Sequence, residues 1–126
     1  MIKNAKVHVT LPAVDLKRAE KFYQEKLGLK VLKEDPSPGA IMGLEGGDYI
    51  YLYQRAATKA DHTAASFTVD DVEETVKELR GKGVVFEEYD MPGLNTVNGI
   101  ATMDGMKVAW FKDTEGNILA VGNMQV

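Results

Sequence analysis

The segment VHVTLPAVDL, residues 7–16, decides the first part of the fold because its side-chain pattern changes within a few residues. Apolar and polar residues alternate over residues 6–11, which predicts a half-buried strand with Val7 among its buried positions. Asp15 then predicts the N-cap of a helix, since its carboxylate can accept backbone N–H groups that the first turn leaves unpaired. The segment therefore predicts a strand followed at once by a helix.

The residues after Asp15 extend this pattern into a module. Gly28 predicts the end of the helix. Strands are expected at 29–32, 40–44 and 48–54, with a turn at Gly46-Gly47-Asp48 before the last of them. The helical stripe consists of Leu16, Ala19, Phe22, Tyr23 and Leu27.

The same order of elements starts again about 55 residues later, which is typical of a duplicated unit. A strand is predicted at 63–69. Asp70 is expected to cap the next helix, with Glu73 completing a capping box, and Gly81 or Gly83 is expected to end it. Further strands are predicted at 84–86, 108–111 and 118–121, with a short additional strand at 100–103 and a long loop at 89–98. Such a loop is either a lid over a pocket or a passive surface segment.

Composition limits the class of protein. The chain has 126 residues, no cysteine and a formal net charge of −4. Disulfides and thiolate metal sites are therefore excluded. The basic residues form no run, so a nucleic-acid partner is not expected. No apolar stretch predicts a membrane span or a signal peptide, and we expect a cytoplasmic protein.

Three segments together resemble the vicinal oxygen chelate superfamily, which includes glyoxalase I, bleomycin and fosfomycin resistance proteins and extradiol dioxygenases. Residues 8–29 resemble the opening of its first module and residues 67–72 that of its second, and 111–119 resemble its closing signature. The resemblance implies an α+β fold of two tandem βαβββ modules, about 5–57 and 62–126, in one domain. Their sheets would form a cup with the helices outside, and the protein would be a homodimer.

Metal-dependent members of this superfamily take one ligand from each of four strands. Carried over by position, these ligands fall on His8, Tyr51, Ala64 and Ala120. Alanine has no donor atom, and a neutral phenol is a poor ligand, whereas zinc-type chemistry needs three or four protein ligands. We therefore expect no divalent metal and no other cofactor. A rearranged site using His8 and His62 is the alternative.

The residues expected to bind a ligand lie on the strand faces that would line the cup. His8 is expected to contact a ligand, is a weak candidate for a general base, and has as its alternative a structural role. Tyr49, Tyr51 and Tyr53 alternate onto one face of their strand, where they supply aromatic area with polar tips. The alternative is that at least one of them lies at the sheet edge or at a dimer contact. Trp110 either lines the cup or packs in the core. The full set of expected ligand-binding residues is His8, Thr10, Tyr51, Tyr53, Ser66 and Trp110.

Three functions remain open at this point. The favoured hypothesis is a metal-independent protein that binds a small aromatic or drug-like molecule. The alternative is a lyase, isomerase or dioxygenase of the same superfamily that depends on a metal or on His8. A third hypothesis is an interaction module whose cup is vestigial, because a fold does not imply one function.

Overall fold

The computed structural model describes residues 1–124, and the chain divides into two compact units. The first is Met1–Thr58, and the second begins at Lys59. Each contains one α-helix packed on a mixed sheet, which confirms the predicted α+β class. Within residues 1–124, no helix is long and apolar enough to cross a membrane.

The first unit has the predicted order of strand, helix and three strands. After a short 3-10 turn, the elements are β1 (Val9–Ala13), α1 (Leu16–Glu25), β2 (Lys30–Asp35), β3 (Gly39–Gly43) and β4 (Tyr49–Gln54). The sheet runs β1-β4-β3-β2, with β1 parallel to β4 and the other neighbours antiparallel.

Helix α1 begins where the sequence predicts it. The Asp15 side chain accepts a hydrogen bond from the backbone N–H of Arg18 at 3.1 Å, which confirms the cap. Gly28 follows the helix with a φ of +76°, a backbone conformation that glycine adopts at low cost. The helix buries Leu16, Ala19, Glu20 and Tyr23, and the sheet core of this unit consists of Leu11, Ala13, Ala40, Met42, Ile50 and Leu52.

The first strand differs from its prediction. It begins at Val9, and the side chain of Val7 is 93% exposed instead of buried. The physical reason is register, because β1 pairs only with β4 and that pairing begins at Val9 opposite Ile50. His8 therefore precedes the strand and is exposed.

The elements of the second unit are β5 (Thr63–Thr68), α2 (Val72–Gly81), β6 (Asp90–Met91), β7 (Leu94–Val97), β8 (Ile100–Met103), β9 (Met106–Lys112) and β10 (Ile118–Gly122). Its sheet has the order β5-β10-β9-β8-β7-β6. Strand β10 is parallel to β5 and antiparallel to β9.

The cap of α2 lies one residue later than predicted. Asp71, not Asp70, accepts the backbone N–H of Glu74 at 3.0 Å. Two adjacent aspartates give the same local signal for an N-cap. Which of them caps the helix depends on where the helix begins, and it begins at the buried Val72. The helix ends at Gly81, one of the two predicted positions.

The predicted long loop at 89–98 was wrong, because most of it forms the hairpin β6–β7. The hairpin is held by Glu88, whose carboxylate accepts the Thr96 hydroxyl at 2.7 Å and the Gly99 backbone N–H at 2.6 Å. These bonds lower the pKa of Glu88. The predicted strand at 84–86 was also wrong, since only an isolated bridge joins Phe86 to Phe111.

A polar turn connects β9 to β10. The buried Asp113 side chain accepts backbone N–H groups from Glu115 at 2.8 Å and Asn117 at 2.9 Å, together with the Asn117 side-chain amide at 2.8 Å. Gly116 lies in this turn with a φ of +87°. The turn aligns β10 with β9, so that Ala120 lies opposite Trp110.

Candidate functional site

The polar face of the first sheet carries a row of tyrosines. Tyr49, Tyr51 and Tyr53 are half-buried and alternate with the buried Ile50 and Leu52 of the same strand. Because strand side chains alternate between faces, all three tyrosines lie on the face away from α1. We call His8, Thr10, Tyr49, Tyr51 and Tyr53 the tyrosine face.

His8 is held by Tyr49 of strand β4. Its ring stacks on Tyr49 with the centroids 4.6 Å apart and the planes 19° from parallel. The Tyr49 hydroxyl lies 3.1 Å from His8 Nδ1, within hydrogen-bond distance. This contact leaves Nε2 as the imidazole nitrogen through which His8 could contact a ligand.

Tyr51 lies at the centre of the face. It pairs with Thr10 on one side and with Ile41 on the other. Its hydroxyl lies 3.5 Å from Asp35 Oδ2, a long and weak hydrogen bond. The ring lies over Gly39, where a Cβ atom would collide with it. Gly39 therefore provides the space that the Tyr51 ring occupies.

Tyr53 and Thr10 have the freest polar groups of the tyrosine face. Thr10 is exposed and Tyr53 is half-buried, and neither hydroxyl has a hydrogen-bond partner within residues 1–124. A ring with an unengaged hydroxyl offers both apolar area and a donor to a bound molecule. These two residues are therefore the best-placed ligand contacts of the first unit.

The two remaining predicted residues lie on the second unit. Ser66 and Trp110 both pair with Ala120, which places the three on one face of the sheet. The Trp110 indole donates to the Thr63 hydroxyl at 3.2 Å and meets the Tyr89 ring edge-on at 5.5 Å. Ser66 and Ala120, but not Trp110, line a shallow depression of about 90 Å³ on this unit. Its other lining residues are Phe67, Thr68, Met106, Val108, Gly122 and Met124.

The four positions at which the resemblance implies metal ligands do not form a donor set. His8 and Tyr51 lie in the first unit, where the first contacts Tyr49 and the second contacts Asp35. Ala64 and Ala120 have no donor atom on their side chains. Among residues 1–124, no three His, Cys, Asp or Glu side chains are grouped closely enough to hold a metal ion. The residues present do not fit the family's metal.

The buried carboxylate of the first unit lies on the opposite side of the sheet from the tyrosine face. This carboxylate is Glu20 on the helix side, and burial is the main cause that raises its pKa. In the second unit, burial raises the pKa of Tyr89, and the charge of Glu87 adds to this. The tyrosine face itself is suited to binding a molecule through aromatic contact area and hydrogen bonds.

The expected ligand-binding set leaves out three residues that support the site. Tyr49 contacts His8, Asp35 accepts a hydrogen bond from the Tyr51 hydroxyl, and Tyr89 packs on Trp110. Alternation places Tyr49 on the same face as Tyr51, but it does not predict the contact of Tyr49 with His8. Asp35 and Tyr89 carry no signal in the sequence, since their contacts depend on how distant strands are aligned.

Comparison with known proteins gives the family. Residues 6–121 match the model of the Glyoxalase/Bleomycin resistance protein/Dioxygenase superfamily. The chain is 28% identical over 123 residues to a lactoylglutathione lyase of Haemophilus influenzae, covering 85% of this chain and 91% of that protein. Because the family model spans nearly the whole sequence, the chain belongs to this superfamily.

Solved structures agree on the fold. A protein named UcmS2 superimposes with a TM-score of 0.76 at 21% identity, covering 96% of this chain and 99% of that one. A fosfomycin resistance protein from Listeria monocytogenes, solved with Mn(II) and a dihydroxypropylphosphonic acid, gives 0.68 at 15% identity, covering 98% and 92%. At these identities the likeness shows the fold alone, and relatives with different activities share it.

Proposed function

We propose that this protein binds a small aromatic or drug-like molecule on the tyrosine face without the help of a metal ion. One observation carries the proposal, which is the row of half-buried tyrosines beside His8 and Thr10 on one sheet face. Three aromatic rings with polar tips offer apolar area and hydrogen-bonding groups, as ligand sites do. Ser66 and Trp110 stay predicted ligand contacts of the second unit.

The lack of a donor set supports the metal-independent part. Of the four family positions, only His8 carries a good ligand, and its Nδ1 already faces the Tyr49 hydroxyl. The relative solved with Mn(II) shows that some members of this fold hold a metal. We propose that this chain is a member in which the fold is kept for binding, as a homodimer in the cytoplasm.

The proposal is tested by measuring ligand binding with and without a chelator. A panel of planar aromatic compounds is screened by thermal shift, because a ligand that binds the folded state raises the melting temperature. Binding is then located from amide NMR shifts on β1 and β4. We expect the affinity to be unchanged by EDTA and elemental analysis to find no stoichiometric metal.

Two variants decide whether the tyrosine face is the site. Tyr53→Ala should weaken binding about tenfold, because it removes aromatic contact area and a hydroxyl together. Tyr53→Phe should weaken it less, since it keeps the ring. Gln24→Ala, on an exposed part of α1, is the matched control and should leave the affinity unchanged. An affinity for the ligand that survives Tyr53→Ala would contradict the proposal.

A second candidate is an enzyme of the same superfamily, favoured by the similarity to a lactoylglutathione lyase. Here His8 would act through Nε2 as a base, or a metal would bind in a rearranged site with His62. Turnover that disappears in His8→Ala while the fold is kept would favour the enzyme. Stoichiometric metal in tag-free protein would favour its metal-dependent form over the binding protein.

A further inference from the structure

A groove of about 610 Å³ lies on the second unit, bounded by α2, the β7–β8 hairpin and the start of β9. Its size is within the range of about 300–1,000 Å³ typical of small-molecule sites. None of the residues predicted from the sequence to bind a ligand lines it. The groove therefore has no role in the binding function proposed above.

The groove is cationic although the protein as a whole is acidic. Its lining includes Lys77, Arg80 and Lys107 against the single carboxylate of Glu73, a formal excess of two positive charges (three minus one). The whole chain has a net charge of −4. Lys107 is paired with Glu73, so the excess belongs to Lys77 and Arg80. Their charges favour an anionic ligand.

Arg80 is already positioned at one end of the groove. Its Nη2 group donates to the backbone oxygen of Asn98 at 2.7 Å, and its guanidinium carbon lies 5.6 Å from the centre of the Phe86 ring. The charge of Arg80 helps to lower the pKa of Glu88, but the Glu88 carboxylate already accepts two hydrogen bonds and does not line the groove. A guanidinium fixed at one N–H keeps donors for a second partner.

Lys77 is the cation most available to a ligand. It lies one turn before Arg80 on α2, so both side chains project on the same side of the helix. Lys77 is exposed and has no carboxylate partner within residues 1–124. Two cations spaced by one helical turn can contact the same phosphate or carboxylate group.

The rest of the groove is both apolar and polar. Val97 and Ile100 supply hydrocarbon surface, and Val97 is 74% exposed on its strand. Asn95 and Asn98 supply amides that can donate hydrogen bonds to an oxyanion. A ligand that satisfies all of these groups has an anionic end and a compact apolar body.

We infer that this groove is a second binding site, for a small organic anion whose phosphate or carboxylate group contacts Lys77 and Arg80. The apolar part of the ligand lies against Val97 and Ile100. The site is independent of the tyrosine face, so either site can fail its test without affecting the other.

The probe is phenyl phosphate, titrated into ¹⁵N-labelled protein at constant ionic strength. We expect saturable shifts of the amides of Asn95, Asn98 and Gly99. Inorganic phosphate should bind more weakly because it lacks the apolar part, and benzyl alcohol should bind more weakly because it lacks the charge. Benzoate distinguishes a carboxylate site from a phosphate site.

Two lysine variants distinguish a specific binding site in the groove from non-specific attraction to positive charge. Lys77→Gln should weaken phenyl phosphate about tenfold, because it removes a charged hydrogen-bond donor. Lys21→Gln on α1 removes the same charge outside the groove and should have no effect. Lys77 is exposed, so its variant is expected to fold, and an unchanged melting temperature checks this.

Three results would overturn the inference. Amide shifts that do not saturate, or that weaken equally in Lys77→Gln and Lys21→Gln, would show non-specific electrostatic attraction instead of a binding site. Shifts confined to β1 and β4 would place the probe on the tyrosine face. A single-stranded oligonucleotide that binds the groove more tightly than phenyl phosphate would assign it to a macromolecular partner.

Discussion

Glu20 is a buried carboxylate on α1 whose replacement by glutamine should stabilise the protein. It is 5% exposed, and its Oε2 atom accepts no hydrogen bond within residues 1–124. Lys17 Nζ lies 3.7 Å from that oxygen and only 2.7 Å from Glu34 Oε1 on β2. Burial raises the pKa of Glu20, the neighbouring Glu34 adds to this, and Lys17 opposes it.

The magnitude follows from the unsatisfied oxygen. A buried acceptor without a hydrogen bond costs about 1–3 kcal/mol. In Glu20→Gln the amide is neutral and can donate to the Glu34 carboxylate. The lost attraction to Lys17 is small, because the lysine side chain is 75% exposed to solvent and water screens its charge. The free energy of unfolding at pH 7 should therefore rise by about 1–2 kcal/mol, or about 4–8 °C in melting temperature.

The effect should depend on pH in a defined direction. A pKa that is raised in the folded state means that the folded protein holds this proton more tightly than the unfolded chain. The cost is therefore absent below the ordinary value of 4.5, develops as the pH rises to the folded pKa, and is constant above it. The advantage of Glu20→Gln should be largest at neutral pH and should vanish near pH 4.

Urea unfolding of both proteins between pH 4 and 7.5 measures this difference directly. Glu25→Gln is the matched control, because Glu25 lies on the same helix and is exposed. Its ion pair within the described residues is a surface contact with Lys21. This substitution should change stability by less than about 0.5 kcal/mol. A destabilised Glu20→Gln variant, or a difference independent of pH, would refute the reasoning about the buried carboxylate.

Two further substitutions probe the turn and the tyrosine face. Asp113→Ala removes three hydrogen bonds to a buried carboxylate and should lower the free energy of unfolding by about 3 kcal/mol, measured by urea unfolding. Gly39→Ala places a Cβ atom where the Tyr51 ring lies, so the ring must move. The affinity for the planar aromatic ligand of the tyrosine face should fall several-fold, while the melting temperature changes little because the Tyr51 side chain is only half-buried.

Each of these has a control in the same chain. Thr114→Ala lies in the same turn but removes only an exposed hydroxyl contact with Glu115, so its effect should be below about 0.5 kcal/mol. Gly46→Ala adds a Cβ atom that meets no neighbour within 4 Å and should leave ligand affinity unchanged. Equal effects of Gly39→Ala and Gly46→Ala would argue against the position of the Tyr51 ring.

Local patterns in the sequence account for most of the fold. The Asp15 cap, the stop at Gly28 and the strand at Ile100–Met103 lie where the sequence predicts them. These features depend on residues only a few positions apart, whose spacing is visible in the chain. The structure of the 89–98 segment was not predicted correctly, because its hairpin depends on the contacts of Glu88 with Thr96 and Gly99.

The candidate site was predictable only in part. Alternation alone places Tyr51 and Tyr53 on one face of a strand, and the predicted ligand-binding residues of each unit do share a face. The partner of His8 was not predictable, because Tyr49 is 41 positions away and reaches it only through the pairing of β1 with β4.

The sequence by itself therefore determined the α+β class, the repeated order of elements, the superfamily and the loss of donor atoms at Ala64 and Ala120. The tertiary structure alone decided that His8 stacks on Tyr49 and that Asp35 accepts a hydrogen bond from the Tyr51 hydroxyl. It also decided that Lys107 lies in one groove with Lys77 and Arg80 of α2. The reason is physical. Caps and periodicity act between near neighbours, whereas these contacts depend on how distant strands align and which helix packs against them.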